Sequence, residues 1–219
     1  MSPLSNDHGL HDDVVQYPDA PWRMLGQLWL SVFRIREAVD PALAPGGRPA
    51  GVYGVVFVSY EPGSPLTYSE LLVARAVPGP GRGRQVSITD IWVDSPASMA
   101  GGRELWAIPK ALCDFDLESS HTGPLTRTDW SASLQRQPIA DARFTDVSRA
   151  AVRLPFRGRV RQPPLEPGGP DGAATMAGTA KSLPCHARWD FAPGGPLGWL
   201  AGRRPLASFR MAGFRMSFG

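Results

Sequence analysis

The sequence predicts an α+β domain built mainly from antiparallel strands, closed as a barrel or folded as strongly curved sheets, with one main helix. About ten short runs show the alternation, or the β-branched and aromatic content, that is typical of strands. A clear helix start occurs once, between the fourth and fifth of these runs. Strands and helices do not alternate along the chain, which argues against a parallel βαβ sheet.

The composition is that of a globular protein that binds neither nucleic acid nor a membrane. The 219 residues suffice for one large β-rich domain, and a hydrophobic fraction of 42% can fill its core. The net charge of +3 is too small, and the arginines are too dispersed, for a nucleic-acid surface. No uninterrupted apolar stretch is long enough to cross a bilayer.

Residues 1–20 are predicted to form a flexible N-terminal arm, and residues 21–219 a single domain. The arm carries four side chains of the types that ligate metals, namely His8, His11, Asp12 and Asp13. A mobile tail cannot fix coordination geometry, so we expect no metal site there, and no cofactor elsewhere. The arm also lacks the basic and apolar regions of a signal peptide, which predicts a cytoplasmic protein with Cys113 and Cys185 reduced.

Four predicted strands precede the helix. Residues 26–36 alternate imperfectly between apolar and polar side chains, and residues 51–60 are rich in aromatic and β-branched side chains. Residues 67–77 and 86–93 form the next two strands. The loop between them, residues 78–84, is rich in glycine but fits neither phosphate-binding fingerprint, and we interpret it as a hairpin loop.

The predicted helix has Asp94 or Ser95 as its N-cap, has Pro96 at the first helical position, and runs to about Trp106. A Gly-Gly pair at residues 101–102 weakens a helix. We expect the pair to permit close approach to another backbone or to a substrate.

The remainder of the chain is again mostly β. The predicted strands are residues 112–118, 126–135, 139–144, the weaker 153–160, most of 173–191, and 207–219. Residues 163–172 form a loop, and residues 196–200 form one helical turn.

Lys110 is the residue around which a functional site is predicted. Of the 23 basic residues only Lys110 and Lys181 are lysines, as though other surface lysines had been replaced by arginine. A lysine can lose its proton and attack a carbonyl carbon, which arginine cannot do. Chance survival of an ordinary surface lysine remains the alternative for both positions.

The neighbours of Lys110 favour a buried position. Apolar residues flank it on both sides, in the segments 105–108 and 111–113. Pro109 biases the residue before it away from the helical region, so Lys110 should lie just past the helix, on an extended segment. Apolar surroundings disfavour the ammonium form, and we therefore expect a lowered pKa for Lys110.

The stretch around Lys110 resembles the acetoacetate decarboxylase-like family. The resembling residues are Gly102-Arg103-Glu104-Leu105, Pro109-Lys110 and, upstream, Tyr68-Ser69-Glu70. The resemblance extends from about Pro21 to the C-terminus, and it implies a β-barrel-like fold with the lysine inside. It also implies that Lys110 forms a Schiff base with a keto acid.

The sequence departs from the decarboxylating members of that family at three positions. Ala111 stands where those members have a second lysine, whose charge helps to lower the pKa of the first. Gln27 aligns with an arginine and Val55 with a pocket glutamate, whereas Glu70 is retained. These departures move the expected chemistry away from decarboxylation and toward aldol, dehydration or cyclisation reactions of a keto acid, which other members catalyse.

Lys110 is the predicted nucleophile, and Glu70 is the predicted general acid/base. A solvent-facing strand glutamate is the alternative interpretation of Glu70. The candidates for contact with substrate are Gln27, Tyr68, Arg103 and Trp106. Tyr68 can equally be a core residue, and Arg103 can pair with Glu104 or with another carboxylate.

Together with the resemblance, these residues predict a lyase, either a decarboxylase or an aldolase-dehydratase, that acts on a small keto acid. The resemblance also implies a homo-oligomer. A small-molecule binding protein on the same scaffold, with a structural Lys110, is the alternative from a different class. A structural subunit without a ligand is the third interpretation. Reaction of Lys110 with a keto acid would distinguish the enzyme from the other two.

Overall fold

The computed structural model describes residues 15–44, 46–81, 83–147 and 151–219. Twelve strands and one α-helix lie in these ranges, and the predicted fold class, mainly antiparallel β with one main helix, is confirmed. In chain order they are β1 (Trp22–Ile35), β2 (Gly51–Tyr60), β3 (Tyr68–Pro78), β4 (Arg84–Val93), α1 (Pro96–Trp106), β5 (Ala111–Leu112), β6 (Asp114–Thr122), β7 (Leu125–Leu134), β8 (Gln137–Asp146), β9 (Arg153–Gln162), β10 (Gly172–Pro184), β11 (His186–Phe191) and β12 (Ala207–Phe218).

Seven strands close into a barrel in the order β3-β2-β1-β12-β10-β9-β4, and β3 pairs back onto β4. All of these pairings are antiparallel except β4 with β9, which meet in parallel at a single position, Val86 opposite Val160. At this seam the buried side chain of Gln162, on β9, provides further hydrogen bonds to β4. Its Oε1 accepts a hydrogen bond from the Ile88 amide at 2.6 Å, and its Nε2 donates to the Ile88 carbonyl at 3.0 Å.

A second sheet, in the order β11-β8-β7-β6, covers the outside of the barrel wall formed by β1, β2 and β3. Aromatic side chains fill the space between the two layers. Phe57 on β2 stacks between the rings of Trp130 and Trp189, with centroid distances of 4.9 Å and 5.3 Å. Because the other face of β2 lines the barrel interior, neither face is polar, which explains the continuous apolar run in residues 51–60.

Helix α1 lies where the sequence predicts it. The Ser95 hydroxyl caps it by accepting a hydrogen bond from the Ser98 amide at 3.1 Å, and Pro96 is its first residue. Asp94, the other candidate cap, instead accepts a hydrogen bond from the Ser69 amide at 2.8 Å. The cap of α1 is therefore tied to the start of β3, the strand that carries Glu70.

The run at residues 173–191 is mostly strand, as predicted, but it is divided between the two sheets. It forms two strands, β10 in the barrel and β11 in the second sheet, separated at Cys185. The Cys185 amide donates to the Ser208 carbonyl at 2.9 Å, so the backbone leaves one ladder there and joins the other. Both β10 and β11 have β-type composition, and composition alone does not reveal a change of sheet.

The N-terminal residues for which no metal site is expected, His8, His11, Asp12 and Asp13, lie outside the described residues. Within residues 15–20, the Pro18 carbonyl accepts a hydrogen bond from the Trp22 indole at 2.8 Å. None of the helices in the described ranges has the length and apolar character needed to span a bilayer.

Candidate active site

Lys110 enters the end of the barrel directly after α1. The helix ends at Trp106 because Ala107 adopts a left-handed conformation, with φ of 52°, and its amide donates to the Arg103 carbonyl. The chain then turns inward through Pro109. Lys110 is only 4% exposed as a residue, so the buried position expected from its apolar flanks is observed.

The Lys110 Nζ has three hydrogen-bond acceptors within reach. They are Ser98 Oγ at 2.8 Å, Glu70 Oε2 at 3.0 Å and Tyr68 OH at 3.3 Å. The other carboxylate oxygen of Glu70 accepts a hydrogen bond from Tyr60 OH at 3.2 Å. An ammonium group has three donors and no acceptor, so this arrangement satisfies the protonated form of Lys110 completely.

The prediction of a lowered pKa for Lys110 is wrong. Burial lowers the pKa, but the Glu70 carboxylate and then Tyr68 raise it by more, and the net shift is upward from the usual lysine value. The apolar flanks correctly indicated burial. They carried no information about Glu70, which comes from a strand forty residues earlier in the chain.

The two tyrosines remain protonated. Burial and then the Glu70 carboxylate raise the pKa of Tyr60 well above its usual value. Burial also raises the pKa of Tyr68, although the Lys110 ammonium opposes this shift. Both phenols can therefore donate hydrogen bonds to negative charge at the site at neutral pH. Their rings lie against each other with centroids 4.3 Å apart.

A cavity of about 340 Å³ occupies the barrel interior, and Lys110 and Glu70 line one end of it. Within the described part of the chain, these two are the only charged side chains in its wall. Trp106 closes the same end, with its ring between those of Trp22 and Phe218 at 4.9 Å and 4.8 Å. The lysine and its carboxylate partner are thus held in a largely apolar enclosure.

Of the residues predicted to contact substrate, Tyr68 and Trp106 line this cavity, whereas Gln27 and Arg103 do not. Arg103 is exposed on α1 and donates to the Lys110 carbonyl at 3.0 Å, so it holds the backbone of the lysine rather than pairing with Glu104. Gln27 lies at a bulge in β1, where Arg210 donates to its Oε1 at 3.1 Å.

Val55, aligned from the sequence with a pocket glutamate, faces the outer core and not the cavity. The next residue of β2, Val56, lines the cavity. Successive residues of a strand point to opposite faces, so an alignment that is one residue out of register selects the wrong side of the barrel wall.

Two residues of the site, Ser98 and Tyr60, were not predicted from the sequence. Ser98 lies on α1 four residues before Gly102 and eight before Trp106, and all three face the lysine end of the barrel. That helical spacing was the available signal for Ser98. Tyr60 ends β2 and gave no comparable signal, because aromatic residues are ordinary in strands.

The Gly-Gly pair in α1 makes room for side chains rather than for a backbone or a substrate. A Cβ at Gly102 would lie 2.7 Å from Lys110 Cδ and 2.8 Å from its Cε. A Cβ at Gly101 would lie 2.8 Å from the Trp22 ring. The Lys110 side chain therefore packs directly against the backbone of α1 at Gly102 on its way to the cavity.

Gly102→Ala is expected to displace the amine while the protein remains folded. The added methyl group must push the Lys110 side chain aside, and a misplacement of about 1 Å can reduce a reaction rate roughly 100-fold. Alanine also favours the helix by up to about 1 kcal/mol, which offsets lost contacts in the folded state. The measurements are the rate of reaction of Lys110 with a keto acid and the thermal unfolding midpoint.

Gly194→Ala is the matched control, because a Cβ there has no neighbour within 4 Å. Its reaction rate should equal that of the wild type. A Gly102→Ala variant that reacts as fast as this control would show that the close contact with α1 does not position the lysine.

The other residues with reactive side chains lie away from this cavity. Lys181 is on β10 and does not line it. Cys113 and Cys185 are free thiols, and burial raises the pKa of each to about 12, with smaller contributions from Asp114 and Asp94 at Cys113 and from Asp146 at Cys185. Across the four described ranges, no three histidine, cysteine or acidic side chains are grouped so as to hold a metal ion.

The fold and the cavity define a class of β-barrel proteins with a buried lysine at one end of an apolar chamber. The family model for acetoacetate decarboxylase (ADC) matches residues 22–165, well over half of the chain. The chain therefore belongs to the acetoacetate decarboxylase family. A comparison with curated protein sequences gave no match.

Solved structures show the same fold. An acetoacetate decarboxylase from Legionella pneumophila aligns with a TM-score of 0.63 and 15% identity, over 93% of this chain and 87% of that chain. An acetoacetate decarboxylase-like enzyme from Sphingomonas wittichii RW1 aligns with a TM-score of 0.54 and 16% identity, over 92% of each chain. At these identities the comparison establishes the architecture.

Proposed function

We propose that the protein is a lyase in which Lys110 forms a Schiff base with a keto acid and Glu70 carries the protons. The observation that supports this most strongly is the contact of 3.0 Å between Lys110 Nζ and Glu70 Oε2 at the end of an apolar cavity. A buried amine next to a buried carboxylate can exchange a proton without changing the net charge of the cavity. Such a transfer avoids the large cost of leaving one charge unpaired in apolar surroundings.

Proton transfer from Lys110 to Glu70 produces the neutral amine, which is the nucleophile. Without this transfer, the raised pKa of Lys110 keeps the amine protonated. The Lys110 ammonium gives a proton to Glu70, and the neutral amine attacks the carbonyl carbon of the substrate, forming a C–N bond. Glu70 returns its proton to the carbonyl oxygen, which yields the carbinolamine. Glu70 then takes a second proton from nitrogen and delivers it to the hydroxyl group, which leaves as water.

The product of these steps is an iminium ion beside a Glu70 carboxylate. The charges are the same as in the resting pair, so the surroundings that favour the ammonium also favour the iminium. The iminium withdraws electrons from the neighbouring carbon atoms. It can therefore assist loss of carbon dioxide from a β-keto acid, or aldol, dehydration and cyclisation reactions of a keto acid.

Tyr60 and Tyr68 supply the hydrogen bonds that the intermediates need. Tyr60 OH donates to the Glu70 carboxylate and limits its rotation. Tyr68 OH, 3.3 Å from the amine, is close enough to donate to the oxygen of a carbinolamine. Ala111 carries only a methyl group, which is exposed and does not line the cavity, so this position lacks the second amine of the decarboxylating members.

Borohydride reduction tests this proposal. Incubation with pyruvate or acetoacetate and borohydride should add the mass of the reduced adduct to the peptide that carries Lys110, as read by mass spectrometry. Lys181 is an internal control, since it is the only other lysine in the chain. An adduct on Lys181 alone would show that the nucleophile is assigned wrongly, and no adduct with any keto acid would favour a binding protein.

A further inference from the structure

The two ends of the barrel cavity differ in chemistry. Among the described residues, the hydrogen-bonding side chains of its wall, apart from the two indoles, lie at one end. They are Lys110, Glu70, Tyr60 and Tyr68. The wall away from them is formed by aliphatic, methionine and phenylalanine side chains and by glycine. Examples are Leu30, Val52, Ala76, Val86, Phe156 and Met211.

The cavity is long compared with a small keto acid. The inward-facing residues of β3 run from Glu70 at the polar end to Ala76, a difference of six positions. At about 3.3 Å per residue this is roughly 20 Å along the strand. With the usual strand tilt in a barrel, it is about 15 Å along the axis. Pyruvate or acetoacetate would occupy only the end next to Lys110.

The apolar part of the chamber is not filled by the side chains of the barrel. Several residues that face inward remain half-buried, among them Leu28, Leu72 and Met211, although the strands around them form a closed ring. Empty cavities with purely apolar walls hold water poorly and take up apolar molecules of matching size. Burial of an alkyl chain there would remove apolar surface from water on both partners.

Resting on the Schiff-base function above, we propose that the substrate is a keto acid with an extended, unbranched apolar chain. Its carbonyl carbon lies at Lys110, and its chain runs along β3 toward Ala76. The polar groups fix this orientation, because Lys110 and the Tyr68 phenol, which can donate a hydrogen bond to a carboxylate, lie at one end of the cavity. Lys110 is already paired with Glu70, so a dicarboxylic keto acid would bury its second charge among apolar side chains without a partner.

A chain-length series tests the proposal. Borohydride trapping at Lys110 is measured at increasing concentrations of straight-chain α-keto acids: pyruvate, α-ketohexanoate, α-ketooctanoate and α-ketodecanoate. The concentration for half-maximal trapping should fall about fourfold for each added methylene group, as expected for burial of that group. Decanoate, which has no keto group, should compete with α-ketodecanoate and leave no adduct.

A pair of variants tests where the alkyl chain of the substrate lies in the cavity. Ala76→Phe fills the end opposite Lys110, and it should remove the advantage of α-ketodecanoate over α-ketohexanoate. Val77→Phe adds the same ring at the adjacent position of β3, which does not line the cavity. This control should keep the wild-type chain-length dependence.

The outcomes separate the two proposals. Trapping of pyruvate at Lys110 with no gain from longer chains would overturn the substrate class and leave the Schiff-base function standing. A gain that Ala76→Phe does not reduce would also overturn it, because the chain would lie elsewhere. No adduct at Lys110 with any acid in the series or with acetoacetate would overturn the Schiff-base function itself.

Discussion

Lys110→Met is expected to abolish trapping and to lower the free energy of unfolding by about 3–5 kcal/mol at neutral pH. Methionine has nearly the length of the lysine side chain but no charge, so the variant leaves the Glu70 carboxylate buried without its cation. An uncompensated buried charge costs far more than the net contribution of the ion pair. Chemical denaturation, analysed as a two-state transition, measures the difference in the free energy of unfolding between the variant and the wild type.

Two further variants separate charge from chemistry. Lys110→Met with Glu70→Gln should recover most of the lost stability, because neither buried charge remains. Lys110→Arg keeps the cation next to Glu70 and should be more stable than Lys110→Met, yet it cannot form an imine. Lys181→Met is the matched control for loss of a lysine, and its trapping should equal that of the wild type. A Lys110→Met variant as stable as the wild type would contradict the expectation that loss of the cation leaves an unpaired charge buried at the site.

Glu70→Gln is expected to move the pH dependence of imine formation to lower pH while it slows turnover. Burial is the largest influence on the pKa of Lys110 and lowers it, and the Glu70 carboxylate is the largest influence that raises it. Without that carboxylate, the amine loses its proton at a lower pH than in the wild type. Glutamine cannot carry the protons, so turnover should fall roughly 100- to 10,000-fold.

The measurement is the rate of borohydride trapping across a pH series for the two proteins. Glu104→Gln is the matched control, because it removes the same charge from an exposed position of α1. Its profile should overlay that of the wild type. A Glu70→Gln profile that keeps the wild-type onset, or that moves to higher pH, would show that Glu70 does not set the protonation of Lys110.

The central part of this site could be predicted because its signals are local or compositional. Scarcity of lysine and the Pro109-Lys110 pair indicated Lys110, and the helix boundaries followed from Ser95, Pro96 and Trp106. The direction of the Lys110 pKa could not be predicted in the same way. It depends on Glu70, and only the pairing of β3 with its neighbours brings that carboxylate to the amine.

Local patterns also did not determine whether a strand residue points into the barrel or toward the outer layer. Gln27 and Val55 were chosen by alignment along strands, where a shift of one residue reverses the face. The bulge at Gln27 adds such a shift in β1, and the double-sided burial of β2 removes the polar alternation that would have marked the inner face at Val55. For a strand that is apolar on both sides, register has to come from the structure.

The seam between β4 and β9 is the most sparsely hydrogen-bonded junction in the ring. Neighbouring strands elsewhere in the ring are joined along most of their length, whereas here one position, Val86 opposite Val160, and the Gln162 side chain make the connection. Both valines line the cavity. Separation along this line breaks fewer hydrogen bonds than separation of any other pair of adjacent strands in the ring. A bulky molecule in the cavity would therefore separate β4 from β9 before any other pair of adjacent strands, and the remaining ladders would stay intact.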